Sequence, residues 1–218
     1  MSINGGLVMR SFMKWVVVLV VPAVWIAAAR PAEPPIPEGT VVKLLLLRQK
    51  SVQKELELTP ETAEKIMKFT TGQSAAAAKT AGQGEAERKQ ALAQLLRENE
   101  QFLTDTLAPK QSTRLDQIMM QFTALTQLTK PDIAKELKLT DEQVQKFKDL
   151  QPVARKALAD LFSNKEGRNE KFKKLREEYR TKVLALLTDE QKAKVREMVG
   201  PPFEGEIVFE EPESPNDK

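Results

Sequence analysis

The sequence predicts an all-α protein built from tandem long antiparallel helical hairpins, and three observations support this prediction. A five-residue phrase with the chemistry of a helix start begins at Leu58, Leu107, Leu139 and Leu187. Apolar residues between the phrases recur at steps of three and four, as they do on the buried face of a helix. No long stretch alternates with the period of two that is typical of a half-buried strand. The phrases therefore mark where the predicted helices begin.

The spacing of the phrases groups them into two units. The leading leucines lie 49, 32 and 48 residues apart (58 to 107, 107 to 139 and 139 to 187), so a short interval separates two long ones. Residues 52–66 also match residues 133–147 at an offset of 81, with seven identical pairs. Internal duplication is the simplest explanation. It predicts a first helical unit at 40–128 and a second at 129–200, joined near 127–131.

The N-terminal residues 1–29 have the pattern of a secretory signal peptide. Arg10 and Lys14 precede an apolar run, residues 15–29, that ends in three alanines. This pattern predicts export to the periplasm or the extracellular space, with no membrane contact after cleavage; a retained anchor is the alternative. Residues 30–39 are rich in proline and are expected to form an extended tether.

The remaining elements follow from helix formers and helix breakers. Residues 41–56 contain neither glycine nor proline and predict one helix. Gly72, Gly82 and Gly84 favour two helices between the first two phrases, with a single long helix as the alternative. The second unit repeats this plan, with Pro152 inside a helix that it is expected to bend. In total we expect seven or eight helices, followed by an acidic disordered tail at 201–218 in which residues 206–210 could add a short strand.

The phrase itself is a capping box in its two complete copies. Thr140 can accept a hydrogen bond from the backbone of Gln143, whose side chain can reach back to the backbone of Thr140; Thr188 and Gln191 can do the same. The first unit keeps only Leu58 and Thr59 of one phrase and Leu107 and Gln111 of the other, with Ala108 where threonine stands elsewhere. Because capping explains each residue type, we interpret the phrase as a helix start rather than as a contact site. The motif residues are Leu58, Thr59, Leu107, Gln111, Leu139, Thr140, Gln143, Leu187, Thr188 and Gln191.

Paired phrases of the form LTxxQ, about fifty residues apart on a helical chain behind a signal peptide, resemble the Spy/CpxP (LTxxQ-motif) family of periplasmic proteins. The resemblance covers roughly residues 52–199 as a pattern. It implies helical hairpins that pair into a cradle, and a role as an ATP-independent chaperone or an envelope-stress accessory protein. The duplication departs from the family's single hairpin and suggests that one chain joins what relatives assemble from two subunits.

The amino-acid composition excludes several kinds of covalent bond, catalytic site and metal site. The chain has no cysteine and no histidine. This removes disulfides, thiol and histidine catalysis, and nearly every zinc, copper or haem site. We therefore expect no cofactor, no metal site and no enzyme; an enzyme with paired carboxylates is a poor alternative because no spacing isolates an acid–base pair.

A basic stretch at 155–182 supplies the candidate client-binding residues Arg168, Lys171, Lys174 and Arg176. A solvated helix face is the simpler explanation, because basic residues there alternate with apolar ones at core-facing spacing. The expected partners are unfolded or extended polypeptides, or else one specific envelope protein to which the chain docks as a scaffold or stress sensor. Export argues against nucleic acid as a partner, and a homodimer is possible.

Overall fold

The computed structural model describes residues 39–163 and 166–208. In these two ranges the protein is all-helical and has no strand, which confirms the predicted all-α class. The predicted signal peptide, most of the tether and the final residues of the tail lie outside the described residues. The helices are α1 (Gly39–Leu47), α2 (Lys50–Glu55), α3 (Pro60–Lys79), α4 (Glu85–Thr106), α5 (Pro109–Gln127), α6 (Pro131–Glu136), α7 (Asp141–Ser163), α8 (Arg168–Ala185) and α9 (Asp189–Val199).

The nine α-helices of the described ranges exceed the predicted seven or eight, partly because the first predicted helix is broken. The chain is extended at Gln49, between α1 and α2, and the Gln53 side chain caps the break by donating to the Leu47 carbonyl at 2.7 Å. Leu47 and Val52 are both fully buried. Five positions apart on one continuous helix they would differ by about 140° in direction, so the break lets both face one core.

The buried apolar side chains form two clusters. The second contains Leu128, Leu137, Phe147, Val183, Leu187 and Val195. Each of these residues lies 80 or 81 positions after a buried member of the first cluster; the counterparts, in the same order, are Leu47, Leu56, Ile66, Leu103, Leu107 and Leu115. The two clusters are thus filled from matching places in the sequence.

Backbone geometry matches at the same offset. Glu57 and Lys138, 81 residues apart, both adopt the left-handed conformation, with φ of 52° and 51°. Each follows a six-residue helix, and the next amide donates back into that helix, Leu58 to Gln53 at 3.0 Å and Leu139 to Ala134 at 2.9 Å. Non-glycine residues adopt this conformation at some cost, so its occurrence at both places reflects one shared way of ending the helix.

Helix α5 belongs to both clusters. Leu115, Ile118 and Met119 in its first half pack in the first cluster, whereas Leu125 near its end packs against the second. The helix contacts α1, α7, α8 and α9. The predicted boundary between the units, at residue 128, lies directly after α5. The change from packing in the first cluster to packing against the second occurs within the helix.

Residues 201–208, which we call the strap, differ from the prediction of a disordered tail. Phe203 is only 3% exposed and belongs to the first cluster, and Ile207 packs against that cluster. Composition alone predicted disorder because acidic residues and prolines surround these two apolar side chains. Disorder is the wrong description of this segment, since the two apolar side chains are held by the folded body.

No helix among the described residues has both the length and the apolar character needed to cross a membrane.

Candidate functional site

The two complete phrases meet in the structure. Thr140 and Gln143 at the start of α7 exchange the expected capping hydrogen bonds, at 3.0 and 3.2 Å, and Thr188 and Gln191 do so at 2.9 and 3.2 Å. The two glutamine amides then bond each other: Gln143 Nε2 donates to Gln191 Oε1 at 2.8 Å, and Gln191 Nε2 donates to Gln143 Oε1 at 3.1 Å. The helix starts are therefore joined as a pair.

Each glutamine of this pair also reaches the turn that precedes the other helix. Gln143 Nε2 donates to the Leu186 carbonyl at 2.8 Å, and Gln191 Nε2 donates to the Lys138 carbonyl at 3.3 Å. Gln191 is 9% exposed, so these bonds satisfy polar atoms that have little access to water. The interpretation of the phrase as a helix start alone was too narrow, because its glutamine also makes a direct contact that holds two distant segments together.

The first unit has half of this arrangement. Gln111 accepts from the backbone of Ala108 at 3.0 Å, and its Nε2 donates to the Leu56 carbonyl at 2.9 Å. The position that corresponds to Gln143 is Thr62, which bonds only Thr59 of its own phrase, through backbone and hydroxyl contacts of 3.2 and 2.9 Å. A threonine is too short to bridge to the other helix start.

Replacing Thr62 with glutamine is therefore expected to stabilise the first unit. A glutamine there can complete the capping box and bond Gln111, as Gln143 bonds Gln191, with a gain of about 1 kcal/mol in the free energy of unfolding. Urea unfolding followed by circular dichroism measures the change. Thr71→Gln, at an exposed position in the same helix, is the matched control for the difference in helix propensity. A gain in the free energy of unfolding that is no larger than the control's would show that the new glutamine does not bond Gln111.

The structure separates the predicted client-binding residues. Lys171 and Lys174 are exposed on α8, and Lys171 donates to the Glu166 carbonyl at 2.8 Å. Arg176 instead lies over the Phe122 ring of α5, 4.5 Å from its centroid, and burial lowers the pKa of its guanidinium. Arg168 is half-buried. Arg176 thus contributes to the interface between α5 and α8, whereas Lys171 and Lys174 remain exposed, and client binding by these residues stays a prediction.

An aromatic cluster fixes the position of α8 on α5. The ring of Phe172 stacks on that of Phe122 with centroids 6.3 Å apart and planes at 12°. Phe203 of the strap meets Phe122 edge to face at 6.0 Å and 66°. Phe172 and Arg176 both contact Phe122 of α5, whereas Lys171 and Lys174 are exposed on the outer side of the same helix.

An open groove of about 280 Å³ lies between α7 and α8 on this outer side. It is lined by Ala157, Asp160, Leu161, Lys171 and Leu175. Three of these residues provide an apolar wall, and Asp160 and Lys171 bring opposite charges to it. Val153, the one large apolar residue among those described that is strongly exposed, lies one helical turn before Ala157 and is 56% exposed. The groove therefore offers an apolar surface with charged edges, open to solvent.

Sequence analysis identified Lys171 but missed the other residues of the groove. Ala157, Leu161 and Leu175 follow ordinary helical spacing, so the sequence gives no sign that Ala157 and Leu175 stay partly exposed while Leu161 is buried. In the sequence, Asp160 has the pattern of any charged residue on the solvated face of α7. Within residues 39–163 and 166–208, no group of three or more acidic side chains is placed to hold a metal ion.

Comparison of the chain with models of known protein families, with curated protein sequences and with solved structures finds no match.

Proposed function

We propose that this chain is an exported, non-enzymatic binding protein that holds unfolded or extended polypeptides without ATP, at the groove between α7 and α8. The observation that carries this proposal is the lining of the groove, in which Ala157 and Leu175 are partly exposed apolar residues and Lys171 is an exposed cation. Lys174 is exposed on the same helix. Unfolded polypeptides expose apolar side chains that folded proteins bury. A surface with both features can bind such chains through apolar contact and through attraction to their acidic residues.

The shape of the groove fits weak and tolerant binding. An open surface of this size buries little area on contact, and small interfaces are characteristic of short-lived complexes. Binding that is weak and fast to reverse needs no energy source for release. The resemblance of the LTxxQ phrases to the Spy/CpxP family supports the same role, and the signal-like residues 1–29 support the proposed export.

Reversing the charge of the two exposed lysines is expected to weaken client binding. Lys171→Glu with Lys174→Glu should raise the dissociation constant for an unfolded acidic reporter roughly tenfold at low salt, because each exposed charge contributes about 0.5–1 kcal/mol. The difference should shrink as salt is added. Suppression of reporter aggregation and fluorescence anisotropy provide the measurements.

The matched control for that experiment is Lys68→Glu with Lys110→Glu, which reverses two exposed lysines of the first unit and leaves the same net charge. The control should suppress aggregation as the unchanged protein does. Equal loss of activity in both variants would mean that net charge, and not this groove, governs binding.

The alternative function is a scaffold or stress-sensing module that docks one envelope partner. Crosslinking of the protein in its native envelope, followed by identification of the captured chains, distinguishes the two functions. Many partners in low yield favour a holding protein, whereas one dominant partner favours the scaffold.

A further inference from the structure

The strap is held by the helical body in the way that an extended peptide is held by a receptor. It has no helix or strand of its own. The Pro201 carbonyl accepts from Arg114 Nη1 at 2.8 Å and from Gln121 Nε2 at 2.9 Å, and the Phe203 amide donates to Gln121 Oε1 at 2.9 Å. Further along, Ser51 Oγ donates to the Glu206 carbonyl at 2.6 Å, and the Val208 amide donates to Gln49 Oε1 at 2.9 Å. Side chains of the helical body thus form hydrogen bonds with the backbone of the strap.

Arg114, one of the residues that bind the strap, is fixed by contacts of its own. Its side chain is only 15% exposed, and its guanidinium donates two hydrogen bonds to Glu55, of 2.6 and 2.9 Å. The bonds to Glu55 therefore orient the Arg114 guanidinium, which also donates a hydrogen bond to the Pro201 carbonyl. A site whose donors are already oriented loses little entropy when a peptide binds.

Side-chain recognition is confined to three positions of the strap. Phe203 enters the first cluster and Ile207 packs against it, four residues later. Between them, a Cβ atom on Gly205 would overlap the Phe203 ring and lie 2.7 Å from the Ser51 Cβ atom, so no larger residue fits without movement. The preferred ligand is therefore an extended segment with an aromatic residue, glycine two positions on, and an aliphatic residue after two more.

We propose that the surface formed by Gln49, Ser51, Arg114, Gln121 and the adjoining first cluster is a second polypeptide-binding site, separate from the α7–α8 groove, and that the strap occupies it as an intramolecular ligand. Its partner in trans is an extended segment of another protein with the aromatic–x–Gly–x–aliphatic pattern. Because a tethered strap acts at an effective concentration in the millimolar range, it keeps weaker ligands out until it is released.

The test uses the full chain with Phe203→Ser and Ile207→Ser, which removes both apolar anchors of the strap. The probe is a fluorescent synthetic peptide of residues 201–208, PPFEGEIV. We call this double variant the released chain. We expect it to bind the probe about tenfold or more tightly than the unchanged chain does, because the strap no longer occupies the site. Peptides with alanine in place of Phe203, or valine in place of Gly205, should bind neither chain.

Two results would overturn the proposal. One is a released chain that keeps its helical circular dichroism but binds the probe no better than the unchanged chain. If the released chain loses its helical signal, hydrogen exchange of the Phe203 and Val208 amides in the unchanged chain decides: exchange well ahead of global unfolding supports a strap that opens, and exchange only with global unfolding contradicts it. The two substitutions change none of the residues that line the α7–α8 groove, and reporter binding at that groove is measured in parallel.

Discussion

Replacing Phe147 with alanine is expected to lower the free energy of unfolding by about 3–5 kcal/mol, because the change leaves a cavity that the surrounding helices cannot fill. Phe147 is fully buried and is the largest such side chain among the described residues. It is the member of the second cluster that corresponds to Ile66 in the first. Denaturant unfolding followed by far-ultraviolet circular dichroism measures the loss.

Val153→Ala is the matched control, since Val153 lies on the same helix but is 56% exposed. Its effect should stay within about 0.5 kcal/mol. A loss for Phe147→Ala that is no larger than this would show that the second cluster is not the core around which α7, α8 and α9 assemble.

Gln191→Ala is expected to lower the free energy of unfolding by about 2–3 kcal/mol, because the change leaves several partly buried polar groups without their partner. The Gln191 side chain bonds the backbone of Thr188 and Lys138 and exchanges two hydrogen bonds with Gln143. Gln111→Ala in the first unit removes fewer bonds and should cost about half as much. The same unfolding measurement ranks the two variants.

A double-mutant cycle isolates the contact between the two glutamines. Combining Gln191→Ala with Gln143→Ala should cost less than the sum of the single changes, by about 1 kcal/mol, since each single change already breaks the pair. Gln145→Ala, at an exposed position two residues further along α7, provides the control that should add independently. Additive losses at 143 and 191 would mean that the amides do not support each other.

Local chemistry explains why much of the fold could be predicted. The starts of α7 and α9 follow from Thr140, Gln143, Thr188 and Gln191 alone, because a capping box needs only residues that are neighbours in sequence. The break at Gln49 could not be foreseen in the same way. Helix formers surround it, and only the demand that Leu47 and Val52 face one core, set by distant segments, interrupts the helix.

The candidate sites were predicted less well, for a related reason. Charge is visible in the sequence, so Lys171 and Lys174 were identified, but Arg176 could be assigned to Phe122 only once α5 and α8 were in contact. The apolar wall of the groove and the pocket for Phe203 depend on which faces are left uncovered or covered after packing. No single segment carries that information.

Site-directed photocrosslinking tests the central claim most directly, which is that the α7–α8 groove holds unfolded polypeptides. A photoreactive amino acid in place of Asp160, within the groove, is compared with the same group in place of Lys68, exposed on α3. The account predicts that an unfolded reporter crosslinks from position 160 far more than from 68, and that the same reporter in its folded form crosslinks from neither. Equal crosslinking from both positions, or capture of the folded reporter from position 160, would contradict it.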